Sequence, residues 1–218
     1  MDKILKVHTD GGLHKILIGL TGPYCAGKNY VGRILEDWGF PVLDVDKLGH
    51  QALELEKDAV TARFGAIVLN SDGTIDRKAL GRLVFGDPKA LNDLEAIVHP
   101  RANALTLEWI AQQDKQVLVI NAALLHKSIL FSELTAIILV QAPYLTRLLR
   151  ARKRDKLPYL SLIQRLNSQK QFFTQYFRST ADIYTVSNRG LWTFCSSWHR
   201  TGLERRLEHI LREKGLVR

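Results

Sequence analysis

Three groups of residues in this 218-residue chain have types and spacings suited to phosphate chemistry. The first, Gly22-Pro23-Tyr24-Cys25-Ala26-Gly27-Lys28-Asn29, follows the pattern G-x-x-x-x-G-K up to its last position. Glycines in such a loop let backbone N–H groups wrap a polyphosphate, the next helix adds positive potential at its N-terminus, and the lysine reaches the β- and γ-phosphates. Gly22 to Asn29, with Tyr30 after them, are therefore the candidate ATP-binding residues, and Lys28 the charge that acts on the nucleotide. Asn29 stands where Ser or Thr normally binds Mg²⁺. Its carboxamide oxygen is also a neutral, hard ligand, carried on a longer arm. Cys25 reads as a passive small side chain, the alternative being a thiol acidified by the loop's positive field. A plain Gly-rich strand-to-helix turn is the bland alternative for the whole loop.

The second group is Asp44-Val45-Asp46, directly after the apolar Pro41-Val42-Leu43. A carboxylate hydrogen-bonded to an acceptor hydroxyl can orient it and take its proton. Ligands of open parallel sheets bind beyond the carboxyl ends of the strands, so Asp46 is expected near the loop. Helix capping competes with that reading, because Asp is a favoured N-cap and a helix should start near Lys47. The third group is Arg147, Arg150 and Arg154, which share one helix face by their three- and four-residue spacing. Three guanidiniums on one face suit a lid that stabilises charge on a transferring phosphoryl group, with a solvated basic face as the alternative.

The elements that must hold these groups are legible as apolar runs. Ile16–Leu20, Pro41–Leu43, Val117–Ile120, Ile137–Val140 and Ile183–Val186 are short and mostly β-branched. Continuous runs fit strands buried on both faces of a parallel sheet. Between them, Val31, Ile34, Leu35 and Trp38, and then Ala102, Leu105, Trp109 and Ile110, repeat at helical spacing. Alternating strands and helices predict an α/β fold with crossover connections. From about residue 51 to 113 no strand is expected, only amphipathic helices interrupted at Asn70-Ser71-Asp72-Gly73, Gly86-Asp87-Pro88 and His99-Pro100. Residues 143 to 177 form a second, helical and very basic insertion. Phe172, Phe173, Tyr176 and Phe177 within it lie on one apolar face, which predicts core packing over base stacking.

Composition narrows the function. Lys and Arg number 31 against 22 Asp and Glu, giving a formal net charge of +9. That excess is compatible with nucleic acid, an anionic membrane or phosphorylated small molecules. It is concentrated in one stretch: residues 147 to 178 hold nine Lys and Arg and one acid, which favours nucleotide phosphates. No apolar run approaches the eighteen residues that span a bilayer, and the first fifteen residues lack a signal peptide's apolar core. Two cysteines, Cys25 and Cys195, make a disulfide framework or zinc site improbable. A soluble, cytoplasmic protein is expected, without nucleic-acid or membrane partners, as a monomer or weak homo-oligomer.

Further residues complete an ordered set: Phe64-Gly65, Asp72-Gly73-Thr74-Ile75-Asp76-Arg77, Val84-Phe85, Leu94 to Pro100, the Arg150/Arg154 pair, Arg165 and Gln169, and Ala181-Asp182 with Asn188 and Gly190. Together with the loop and Asp44-Val45-Asp46, this set resembles the dephospho-coenzyme A kinase family from about Leu17 to Gly190. The resemblance implies a P-loop NTPase-type parallel sheet flanked by helices, with a helical acceptor-binding insertion and a helical lid. It implies transfer of the γ-phosphoryl group of ATP, with Mg²⁺, to the ribose 3′-hydroxyl of dephospho-coenzyme A. On this reading residues 1–14 are an N-terminal extension, and 15–50, 115–142 and 179–218 form the nucleotide-binding core. Residues 51–114 would then be the acceptor domain and 143–178 the lid. Lys28, Asp46, Arg150 and Arg154 are the expected catalytic residues, and Asn188 is expected beside the nucleotide. Asp44, Asp76, Arg77, His99 and Arg165 are expected to contact the acceptor, although Asp76 with Arg77 as a local ion pair, and His99 as a helix end before proline, are equally physical. The family's Pro-Leu-Leu-x-Glu segment appears here as Ala123-Leu124-Leu125-His126-Lys127. Another small-molecule or nucleoside monophosphate kinase, or a nucleic-acid-binding P-loop protein, is the alternative.

Overall fold

The computed structural model describes residues 15–169, 172, 174, 176, 179–190 and 197–216, with side chains from 202 onward in the last stretch. The 1–14 extension, Phe173, Phe177, Trp192, Cys195 and the side chain of Trp198 lie outside the described residues. Two compact units result: one combines the chain up to Leu43 with the chain from Asp114, and the other is Asp44–Gln113.

The first unit is built on a five-stranded sheet of β1 (Ile16–Thr21), β2 (Val42–Asp44), β3 (Val117–Asn121), β4 (Leu134–Gln141) and β5 (Asp182–Ser187), in the order β2-β3-β1-β4-β5. Strand β1 pairs in parallel with both β3 and β4, and β4 with β5. The central strands are apolar on both faces because helices cover both, as expected from their unbroken β-branched runs. Ile18, Leu20, Val119, Ile138, Val140 and Val186 pack with Val31, Ile34 and Leu35 of α1 (Lys28–Asp37), and with Leu203, Leu207 and Ile210 of the last helix, Ser197–Glu213. Each such side chain contributes roughly 1.5–3 kcal/mol by leaving water. Helix α1 closes with a Schellman pattern: Gly39 donates its N–H to the Glu36 carbonyl at 2.8 Å and Phe40 to that of Leu35 at 3.0 Å. Phe40 then packs on the core, which sends the chain into β2.

The second unit is helical. It comprises α2 (Val45–Leu55), α3 (Lys57–Phe64), α4 (Arg77–Val84) and α5 (Pro88–Ala111), with one isolated antiparallel bridge, Leu69 to Ile75. Leu53, Val60, Val68, Ile75, Leu80, Val84 and Ala90 form its core. Three Asp side chains start its helices. Asp44 accepts from the Lys47 N–H at 3.2 Å, Asp76 from Lys78 and Ala79 at 2.9 and 3.1 Å, and Asp87 from Lys89 and Ala90 at 2.9 and 3.2 Å. One expectation is corrected: His99-Pro100 does not interrupt a helix, because α5 runs through Pro100 for 24 residues. The missing proline N–H costs one hydrogen bond, and Leu91, Leu94, Ile97 and Val98 before it and the buried Thr106 and Ile110 after it hold both halves in one helix.

After β4, the first unit adds α6 (Tyr144–Asp155) and α7 (Tyr159–Asn167), so the basic segment is helical as expected. The last helix is α8 (Ser197–Glu213). Phe172 and Tyr176 are buried and their ring centroids lie 5.2 Å apart, which is core packing and not a stacking platform. No helix among the described residues is long and apolar enough to cross a membrane.

Candidate active site

The loop from Gly22 to Gly27 links the C-terminal end of β1 to the first turn of α1. Two glycines have steric reasons to be there. A Cβ at Gly22 would lie 2.6 Å from the Val140 carbonyl oxygen, and Gly27 has φ 97 with the Asn188 amide where a side chain would start. The left-handed turn at Gly27 lets α1 begin with Lys28, and Cys25, at φ 58, turns the chain the same way. The Ala26 N–H donates to the Pro23 carbonyl at 2.9 Å, which closes the loop. This is the strand–loop–helix context in which a phosphate meets a helix N-terminus.

The arginine face of α6 meets the loop's backbone. Arg147 Nε donates to the Tyr24 carbonyl at 2.8 Å. Arg150 donates to the carbonyls of Cys25 and Ala26 at 3.3 and 3.0 Å, to the Asn188 carbonyl and Oδ1 at 3.1 and 3.0 Å, and to the Gly190 carbonyl. Asn188, buried after β5, donates its Nδ2 to the Ala26 carbonyl at 3.0 Å. Arg150 and Asn188 thus tie the loop to the end of β5, and burial lowers the pKa of the Arg147 and Arg150 guanidiniums from the ordinary value. Arg154 lies one turn further on, its guanidinium 4.8 Å from the Tyr24 ring centroid, a cation–π contact.

Asp155 gathers the rest. It accepts from Arg154 Nε at 2.7 Å and from the Tyr24 hydroxyl, and lies 3.7 Å from Arg165 of α7. Hydrogen bonds from Arg154 first, against the opposing effect of burial, hold its carboxyl below the usual range. Burial, and then the Asp155 hydrogen bond, push the Tyr24 hydroxyl up. Gln169 Oε1 accepts from the Tyr24 N–H at 2.6 Å, so loop, α6 and the end of α7 meet on one residue. Cys25 is not acidified: burial raises its thiol pKa despite the arginines nearby. The thiol is a small loop side chain, as read from the sequence.

Behind the loop, Lys28 Nζ donates to Asn121 Oδ1 at 3.2 Å, and Asn121 Nδ2 donates to Asn29 Oδ1 at 3.2 Å. Asn121 is buried at the end of β3, directly across from Leu20, whereas Asn29 is exposed. The nearby Leu125–Lys127 turn buries Leu125 and leaves Lys127 exposed. P-loop NTPases hold Mg²⁺ with a loop hydroxyl and a carboxylate. Here both carboxamide oxygens face N–H donors, and the described residues contain no group of three or more His, Cys, Asp or Glu placed to hold a metal. The residues present do not fit the usual protein-held Mg²⁺.

In the second unit, Asp46 lies exposed in the first turn of α2, two residues after the capping Asp44. Asp76 caps α4, so its carboxylate pKa falls, chiefly through the Ala79 N–H. Arg77 and His99 are exposed. The loop residues, Arg147, Arg150, Arg154, Arg165, Gln169 and Asn188 therefore come together within one unit, and Asp44, Asp46, Asp76, Arg77 and His99 belong to the other. Sequence reasoning missed Asp155, and it marked Asn121 as a departure from the family without assigning it to the site. The signals were present: Asp155 is the one acid in a basic stretch, and Asn121 ends an otherwise apolar Val-Leu-Val-Ile run.

A central parallel strand, a glycine loop with its lysine at a helix N-terminus, and arginine-bearing helices on that loop define a P-loop kinase-type nucleotide-binding protein. The chain belongs to the dephospho-CoA kinase family, whose model matches residues 16–190. A dephospho-CoA kinase of Treponema denticola is 34% identical over 216 residues, covering 94% of this chain and 93% of that protein. A crystal structure of TT1252 from Thermus thermophilus superposes with TM-score 0.77 at 33% identity, covering 92% of this chain and 98% of that one. The dephospho-CoA kinase from Campylobacter jejuni gives TM-score 0.58 at 26% identity over 90% of this chain and 97% of its own.

Proposed function

We propose that this protein transfers the γ-phosphoryl group of ATP to the ribose 3′-hydroxyl of dephospho-coenzyme A, giving coenzyme A and ADP. The observation that carries the reading is the family match from residue 16 to 190, together with a phosphate loop whose lysine opens a helix at the end of a central parallel strand. Mg²⁺ carried on the phosphate oxygens of ATP would supply charge neutralisation, with Asn29 the loop side chain nearest to where it would sit. Lys28 and the loop N–H groups bind the β- and γ-phosphates, and Asn188 borders the nucleotide. Asp46 orients the acceptor hydroxyl and takes its proton as the O–P bond forms.

The two lid arginines have different roles in this proposal. Arg154 is the charge that stabilises the transferring phosphoryl group. Arg150 is a positioning residue, because its donors are engaged with loop and strand-end carbonyls. Asp44, Asp76, Arg77, His99 and Arg165 are acceptor-side residues, of which Asp44 and Asp76 also cap helices. The protein acts without nucleic acid and away from membranes, in the cytoplasm, as a monomer or weak homo-oligomer.

ADP release tests the reading, measured with dephospho-coenzyme A, adenosine monophosphate and single-stranded nucleic acid as separate additions. Stimulation by dephospho-coenzyme A alone is expected. Folded protein that ignores dephospho-coenzyme A sinks the assignment, and stimulation by adenosine monophosphate instead moves it to a nucleoside monophosphate kinase.

A further inference from the structure

We infer that the Asn29–Asn121 carboxamide pair makes nucleotide binding by this protein nearly independent of divalent metal, the metal being held by phosphate oxygens and water with little help from the loop. This rests on the reading of the loop as an ATP site. The two positions flank the place where a P-loop protein normally grips Mg²⁺: Asn29 directly follows the loop lysine, and Asn121 ends the strand beside the loop strand.

Hydrogen bonding fixes how the pair is oriented. Asn121 Oδ1 accepts from the Lys28 ammonium, so turning that amide over would set an NH₂ group against a cation. Its NH₂ must therefore face Asn29, and Asn29 answers with Oδ1. Lys28 in effect specifies both amides. Position 121 thus presents an N–H donor towards Asn29, where a carboxylate would present a charged oxygen. Mg²⁺ sheds water reluctantly and is bound through carboxylates together with phosphate oxygens, and a neutral pair offers neither charge nor a free carboxylate edge. Asn121 is also 3% exposed, which leaves it no room to swing outward, whereas Asn29 is exposed and can reorient. The two substitutions are coupled for that reason. A Thr at 29 would leave the Asn121 amide facing a hydroxyl, and an Asp at 121 would require Asn29 to reverse.

The test is ATP binding by the whole protein without acceptor, by calorimetry, in excess Mg²⁺ and in excess EDTA. Wild-type affinity is expected to differ by less than about tenfold between the two conditions, the lower bound of what a metal-site residue is worth. In the Asn29→Thr/Asn121→Asp double variant the ratio should rise by about tenfold or more. A wild-type ratio of tenfold or greater overturns the inference, and so does a double variant whose ratio stays at the wild-type value. Circular dichroism checks that the double variant is folded; should it not be, Asn29→Thr alone carries the comparison, with a rise smaller than tenfold expected because the Asn121 amide still faces the new hydroxyl, and no rise overturning the inference. Because no acceptor is present, a failure here is separate from a failure of dephospho-coenzyme A to stimulate ADP release.

Discussion

Among single residues, the two acids of Asp44-Val45-Asp46 have separable tasks. Asp44 directs its carboxylate at the Lys47 N–H and so fixes where α2 starts. Asp46, two residues on, is exposed in the helix's first turn and takes no part in the cap. Asp46→Asn keeps the shape and removes the proposed base, so turnover with dephospho-coenzyme A should fall by about 10²–10⁴-fold. ATP affinity, measured separately by calorimetry, should be unchanged, because the loop lies elsewhere in the sequence and keeps all its groups. Turnover within a few-fold of wild type would take Asp46 out of the chemistry.

For the helices, the decisive contact is the one among Asp155, Tyr24, Arg154 and Arg165, which holds α6 and α7 on the loop. The Asp155 carboxyl is lowered in the folded protein relative to an unfolded Asp of about 3.9, so its contribution is complete above that value and is lost as pH falls through the folded one. Asp155→Asn should cost about 2 kcal/mol in urea unfolding at neutral pH, and the gap to wild type should close below about pH 4. A gap that stays constant into acid would mean the carboxylate is not what holds the helices. Helix α5 gives the opposite kind of prediction. Pro100 is exposed inside it and lacks the N–H a continuous helix uses, so Pro100→Ala should stabilise the protein by about 2 kcal/mol in the same assay. No gain would mean that the proline ring's own contacts offset the hydrogen bond it removes from α5. These elements also mark what the sequence could and could not disclose. Strands such as Val117–Ile120 were legible because burial on both faces forces an unbroken β-branched run. Pro100 misled because a local rule against proline was outweighed by burial on either side of it. The contacts of Tyr24 with Asp155, of Cys25 with Arg150 and of Asn29 with Asn121 join residues about a hundred positions apart, and no local pattern encodes such a pairing.

For the whole molecule, the question is what a net charge of +9 is for. A nucleic-acid surface and a nucleotide lid both call for basic residues, but they differ in how those residues are used. On α6, Arg147 and Arg150 donate to loop and strand-end carbonyls, and Arg154 is engaged with Asp155 and the Tyr24 ring. Side chains engaged in this way raise the potential at one loop without presenting a row of free cations to a phosphate backbone. Burial of Phe172 and Tyr176 removes two of the aromatics a single strand would stack on. ATP affinity should therefore weaken by several-fold as salt is raised from dilute buffer to about 1 M, where the screening length shrinks to about 3 Å. Single-stranded nucleic acid should bind only in the non-specific range, with Kd of about 10⁻⁴–10⁻⁶ M at physiological salt. Calorimetry across the salt series measures the first, and fluorescence anisotropy with a labelled oligonucleotide, run with and without ATP, measures the second. Submicromolar oligonucleotide binding that ATP displaces would mean the basic stretch is a nucleic-acid surface. Weak binding that ATP leaves unaltered would keep the charge where the hydrogen bonds put it, around the phosphate loop.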